Sequence, residues 1–96
     1  MNIVVELHDK VALVKIDGRL DTVTTPDLEN RINELDAKEI ILNLENLEYI
    51  SSAGLRVLLS THKKYAKLNG MKVTNVVASV MEIFEITGFA DILTIE

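Results

Sequence analysis

The alternation of apolar runs with helix-forming stretches predicts an α/β fold. It is a mixed, mostly parallel sheet with an N-terminal hairpin and about three main helices, in the order β-β-α-β-α-β-α-β. Three observations carry that expectation. Two β-prone runs open the chain with only a polar turn between them, as in an antiparallel hairpin. Each of the three later apolar runs is preceded by a stretch of helical spacing, which is how parallel strands are joined. The segment Ile40–Leu42 is apolar on both faces and so asks for cover on both sides, as a central strand of an α/β sheet does. Wherever parallel strands are linked through a helix, the crossover is expected to be right-handed.

The elements follow in order. Ile3, Val4 and Val5 form the first strand, and His8, Asp9 and Lys10 the turn. The second strand covers Val11–Ile16, with Val11, Leu13 and Lys15 on one face and Ala12, Val14 and Ile16 on the other. Asp17–Gly18 is expected to end it, since glycine accepts the positive φ of a turn. Thr25 is the expected cap of a first helix, with Pro26 at its first position and Asp27 and Glu29 at the positive end of the dipole. Leu28, Ile32 and Leu35 give that helix one apolar face to about Leu35. The third strand is Glu39–Glu45. A second helix is expected from about Ser52 to Leu68, with Leu55, Leu58, Leu59, His62 and Ala66 along one stripe. Lys63, Lys64 and Lys67 suit its negative end, and Gly70 stops it. Met71–Val77 is the fourth strand. Ser79 is the expected cap of a third helix that buries Val80, Ile83 and Phe84 and ends at Gly88, and Ile92–Ile95 is a short last strand.

Composition narrows the function. The 96 residues fit one domain spanning positions 1–96, and 48% hydrophobic content with 26% charge suits a folded chain. The net charge of −5 opposes nucleic acid and anionic membrane surfaces, both of which attract basic fields. No cysteine is present, no basic region followed by an apolar stretch marks the N-terminus, and no apolar run approaches bilayer length. A cytoplasmic protein is expected. His8 and His62 have no second ligand at metal spacing, and no nucleotide or nucleophile-elbow motif occurs, so neither metal nor cofactor is expected. His62, on an apolar stripe, reads as a partly buried structural histidine.

The segment Leu44–Leu59 differs from the rest. A central strand ends, a short loop follows, and Ser51–Ser52 opens a helix. Serine at such a place reads first as an N-cap, accepting from an N–H one turn in. Only one of two adjacent serines can be that cap. If Ser51 is, Ser52 occupies the first helical position with its hydroxyl outward, and the small residues Ala53 and Gly54 leave room for another protein. A phosphate is well tolerated there, facing free N–H groups and the positive dipole end. A strand-to-helix turn of an α/β sheet is also where function is usually found.

Three stretches at these spacings resemble the STAS family, specifically its bacterial anti-sigma factor antagonists. They are Gly18-Arg-Leu-Asp21, Leu42-Asn-Leu44 and Tyr49-Ile-Ser-Ser-Ala-Gly-Leu-Arg-Val-Leu-Leu59, and Phe84-Glu-Ile-Thr-Gly-Phe89 resembles the end of the family's third helix. The resemblance runs the length of the chain and implies a protein-binding switch without catalysis of its own. Its partners would be an anti-sigma factor that is itself a serine kinase, and a cognate phosphatase. Aligned on Gly54-Leu55, the phosphoacceptor falls on Ser52, with Ser51 as the competing position because many members carry Asp there. The unphosphorylated form would bind the kinase and free the sigma factor, and phosphorylation would weaken that binding. The resemblance places Asp21 near the acceptor and Asn43 on the strand leading to it; with Ser51, Ala53, Gly54, Leu55 and Arg56 they make up the expected partner-binding surface. Two other readings stand beside this one. A domain of the same fold could serve a transport or other signalling assembly, although transporter-linked relatives usually follow a membrane segment. A serine hydrolase using Ser52 lacks a histidine base.

Overall fold

A computed structural model describes residues 1–96. The strands are β1 (Asn2–His8), β2 (Val11–Leu20), β3 (Glu39–Asn43), β4 (Leu47–Ile50), β5 (Gly70–Thr74) and β6 (Thr94–Ile95). The helices are α1 (Thr25–Asn33), α2 (Ser52–Ala66) and α3 (Ala78–Thr87), with a 3₁₀ turn at Phe89–Asp91. The sheet runs β1-β2-β3-β5-β6. The β1–β2 pair is antiparallel, and β2–β3, β3–β5 and β5–β6 are parallel. The mixed, mostly parallel α/β architecture with an N-terminal hairpin is therefore the one the sequence predicts.

The hairpin turn is made by Asp9 and Lys10, both at positive φ (48° and 71°). That is the left-handed pair a two-residue type I′ turn needs, because its twist matches that of the flanking strands.

The largest departure from expectation lies at the far end of β2. Asp17–Gly18 does not end the strand, which runs on to Leu20. Gly18 instead takes φ +98° beside a register shift at Gly18/Arg19, a bulge that lets β2 change partners. Up to Lys15 it pairs with β3, and from Gly18 it pairs in parallel with β4, which replaces the expected loop. The register Leu20↔Ile50 brings the starts of α1 and α2 to the same end of the sheet.

One continuous core joins Ala12, Val14, Ile16, Ile40, Leu42, Met71 and Val73 to Leu28, Ile32, Leu55, Leu58 and Phe84 from the helices. The opposite sheet face stays open: Val4 and Leu13 are exposed and Ile41 is half-buried. The two-sided cover expected for Ile40–Leu42 is thus present on one side only. Apolar residues on the second face of a strand are compatible with solvent, because most protein surface is apolar anyway.

Several boundaries also move. The cap position of α1 is Thr24, not Thr25, whose hydroxyl is buried without a partner, and the helix ends at Asn33. α2 stops at Ala66 and buries Gly54, Leu55, Val57, Leu58, Thr61 and Tyr65, so Leu59, His62 and Ala66 are not the centre of its inner face. Thr61 can go inside because its hydroxyl donates to the Val57 carbonyl at 2.7 Å. β5 ends at Thr74, and α3 has Val77 at its cap position without a side-chain bond, so Ser79 caps nothing. Val80 and Phe84 are buried as expected. The last strand is shorter than expected: the 3₁₀ turn precedes Ile92, and within Ile92–Ile95 only Thr94–Ile95 pairs as strand.

Candidate functional site

The site is built where β4 turns into α2. The Ser51 N–H donates to the Leu20 carbonyl at 2.9 Å, which closes the ladder between β2 and β4. Ser51 is extended (φ −93°, ψ 176°), and its Oγ accepts from the Gly54 N–H at 3.3 Å. That is an N-cap: the side chain satisfies a donor that the helix leaves unpaired. Ser51 is thereby occupied. Ser52, the first residue of α2, is exposed and its hydroxyl bonds to nothing in the protein.

Ala53 is half-buried and Arg56, one turn on, is exposed. Gly54 and Leu55 are not surface residues. Both are buried, and a Cβ on Gly54 would lie 2.8 Å from Ile50 Cγ1, 2.9 Å from Leu20 Cγ and 3.0 Å from the Leu20 carbonyl oxygen. Glycine there lets the first turn of α2 press onto the ends of β2 and β4. These two residues seat the helix and are turned inward.

Asp21 follows directly on β2. Its Oδ1 accepts from the N–H of Val23 at 3.0 Å and of Thr24 at 3.1 Å, folding the loop into a turn. The Thr24 hydroxyl accepts from the Asp21 N–H at 2.9 Å and donates to the Arg19 carbonyl at 2.8 Å. The bond from the Thr24 N–H holds the Asp21 carboxyl below the usual aspartate range against the opposing effect of desolvation, with further help from the Val23 N–H, the Thr24 hydroxyl and Arg19. Oδ2 lies 3.9 Å from Arg19 Nε, and the Arg19 guanidinium stacks over the Tyr49 ring at 4.4 Å.

Asn43 belongs to another cluster. Its Oδ1 accepts from the Glu45 N–H at 3.0 Å and from Asn75 Nδ2 at 3.2 Å, tying the end of β3 to the segment after β5. His62 is half-buried, with Nδ1 enclosed and unpartnered. Its single neighbourhood offers no second histidine.

Between α1 and α2 runs an open cleft of about 530 Å³ lined by Thr25, Glu29, Ala53, Arg56, Ser60 and Lys63 among others. The structure therefore brings Ser51, Ser52, Ala53 and Arg56 onto one surface, sets Asp21 beside it through the Leu20–Ser51 bond, and leaves Asn43 elsewhere. The stacked Arg19–Tyr49 pair was not assigned a role by sequence reasoning, although both residues lie in the quoted motifs. Only the parallel register Arg19↔Tyr49 makes them neighbours.

A model of the STAS domain family matches residues 2–96. The chain is 32% identical to the anti-sigma-B factor antagonist of Staphylococcus aureus, over 97% of this chain and 90% of that protein. An anti-sigma factor antagonist from Mycobacterium paratuberculosis superposes with a TM-score of 0.87 at 28% identity, covering 98% of this chain and 83% of the other. The Bacillus protein SpoIIAA, solved in its phosphorylated form, superposes with a TM-score of 0.77 at 17% identity over 99% of this chain and 91% of its own, a likeness of fold.

Proposed function

Because the chain belongs to the STAS domain family and its relatives there are anti-sigma factor antagonists, we propose that it is a partner-switching regulator whose acceptor is Ser52. Unphosphorylated, it binds an anti-sigma factor that is also a serine kinase, and the sigma factor is released. Transfer of a phosphoryl group to the Ser52 hydroxyl weakens that complex, and a dedicated phosphatase restores it. The switch works in the cytoplasm as one domain, without a cofactor, and no helix is long and apolar enough to cross a membrane.

The observation that supports this reading best is the division of labour between two neighbouring serines. Ser51 Oγ already accepts the Gly54 N–H, whereas the Ser52 hydroxyl is exposed and unpartnered. A hydroxyl that holds nothing can be modified without breaking the fold. The likeness to SpoIIAA, whose structure is known in a phosphorylated form, runs in the same direction.

The physical effect of the phosphate is local. It adds about −1.5 to −2 charge and three acceptor oxygens. Within the domain that charge meets the N-terminus of α2, worth roughly 0.3–1 kcal/mol, while Asp21 and Glu48 oppose it. At a partner surface shaped for a hydroxyl, an unpaired desolvated charge costs about 2–5 kcal/mol, a loss of some thirtyfold or more in affinity. Asp21, with Oδ1 committed to its turn and Oδ2 toward Arg19, is placed to repel the incoming phosphate or to help hold the kinase's magnesium-bound nucleotide.

The test is incubation with serine kinases of the source cell, mapping of the phosphate by mass spectrometry, and comparison of both forms for melting temperature and kinase binding. The expected result is phosphate on Ser52, loss of labelling in Ser52→Ala, nearly unchanged melting, and at least about thirtyfold weaker binding. Phosphate on Ser51, or a large melting shift with unchanged affinity, overturns it.

A further inference from the structure

Charge is unevenly distributed over the helices. α2 holds Arg56, Lys63 and Lys64 and no carboxylate, although the chain as a whole carries −5. Lys10, Arg19 and Lys72 lie within ion-pair distance of carboxylates, but none of the three cations of α2 does. Arg56 is therefore an exposed guanidinium without a partner.

Its position gives it one use. Arg56 follows Ser52 by four residues, the spacing at which Cβ atoms on a helix surface stand about 5–6 Å apart. Arg56 lines the cleft beside Ala53, and because long side chains on a helix project back toward its N-terminus over the preceding turn, its guanidinium is within reach of a group carried by Ser52. The N–H groups of Ser52 and Ala53 point out of the helix end, and only the Gly54 N–H is taken, by Ser51 Oγ. Other charges around the spot are Asp21 and Arg19 at the end of β2, Glu48 on β4 and Glu29 across the cleft on α1. Of these, Arg19 is already stacked on Tyr49 and close to Asp21.

Resting on the acceptor assignment above, we infer that Arg56 closes onto the phosphate once Ser52 is phosphorylated, holding it against the first turn of α2. A guanidinium fork matches phosphate oxygens with two parallel hydrogen bonds, which a lysine cannot do. The modification then acts twice on the docking face. It adds negative charge at position 52, and it withdraws from any partner the cation that stood one turn away. Part of the new charge is neutralised inside the domain, which keeps the fold indifferent to the switch.

The experiment needs no kinase. Phosphoserine is installed at position 52 during translation by stop-codon suppression, and the second ionisation of the phosphate, ordinarily near pH 6, is followed by phosphorus NMR. The dianion gains more from Arg56 than the monoanion, so Arg56→Gln raises this pKa by about 0.3 unit. Lys63→Gln, almost two turns farther along, moves it by less than about 0.1 unit, and Arg56→Lys restores part of the difference. In the parent protein the Arg56 Nε–H resonance shifts across the same titration only when the phosphate is present. Equal shifts in Arg56→Gln and Lys63→Gln, or a motionless Nε–H signal, overturn the inference while leaving Ser52 as acceptor. Phosphate found elsewhere by the kinase experiment removes the acceptor assignment and leaves this measurement intact.

Discussion

The starts of α1 and α2 lie beside each other at one end of the sheet, where Leu20 and Ile50 are in register. They satisfy their free backbone donors in opposite ways. Before α1, Asp21 takes the N–H groups of Val23 and Thr24, and Thr24 bonds back to Asp21 and to the Arg19 carbonyl. Both of those side chains are committed to the turn. Before α2, Ser51 alone forms the cap and Ser52 is left over. Residue type does not separate the two regions, since each offers small polar side chains of the kind that cap helices. What separates them is how much of that hydrogen-bonding capacity the fold has already used.

The widest gap between the two starts should appear on adding one methyl group. Gly54→Ala at α2 puts a Cβ under 3 Å from both Ile50 and Leu20, and overpacking of this kind costs about 1–3 kcal/mol. Alanine's better helix propensity, worth up to about 1 kcal/mol, offsets part of it. Denaturant titration should show a clear net loss, and an unchanged midpoint would mean that the first turn of α2 can slide outward. Next comes the cap. Ser51→Ala should cost about 1 kcal/mol by the same measurement, and a smaller cost than that of Ser52→Ala would reverse the assignment.

The third test addresses the α1 side through pH. The folded pKa of Asp21 is lowered, so its contribution to stability is complete above the ordinary aspartate value of 3.8 and is lost as pH falls through that value toward the lowered one. Asp21→Asn should flatten that part of the acid limb and leave the pH dependence near neutral unchanged, because there the carboxyl is ionised in the folded and the unfolded chain alike. An acid limb identical to the parent's would show that the turn does not need the charge. The smallest effect belongs to Ser52→Ala, within about 0.5 kcal/mol, because alanine suits a first helical position and no bond is lost.

The same contrast separates what was legible in the sequence from what was not. That one of the two serines caps α2 could be read because capping joins residues three apart, and the hairpin because its turn is local; the bond from the Gly54 N–H selects Ser51. β4 was not legible. Leu47 and Ile50 are buried while Glu48 and Tyr49 between them are exposed, a spacing that matches no strand alternation over four residues. Its partner, the end of β2, was hidden by Gly18, which looks like a stop in sequence and is a bulge in space. The inner face of α2 was misplaced for a different reason. Apolar pattern passes over Gly54 and Thr61, yet both are buried, the one for close approach and the other with its hydroxyl bonded to its own helix. Among the expected site residues, Ser52, Ala53 and Arg56 lie within the first two turns of one helix, so their nearness follows from local spacing. Gly54 and Leu55 were expected on the docking face, but both are buried, Gly54 tightly against Leu20 and Ile50. The Arg19–Tyr49 stack was not legible, since its members meet only across a parallel ladder.

That ladder also sets the order of events as the chain folds. The hairpin joins neighbours in sequence, but the bond from Ser51 to Leu20 closes a loop of roughly thirty residues. Loop closure has to be met before its contacts return anything, and pairings of such separation are slow. The surface around Ser52 is expected to take shape after the hairpin and after α1 docks, which substitutions at Leu20 and Val5 can compare by their effects on refolding and unfolding rates. A chain still emerging from the ribosome, or one briefly opened at this end, presents two flexible serines in place of one capped and one free. Only the finished fold makes them different.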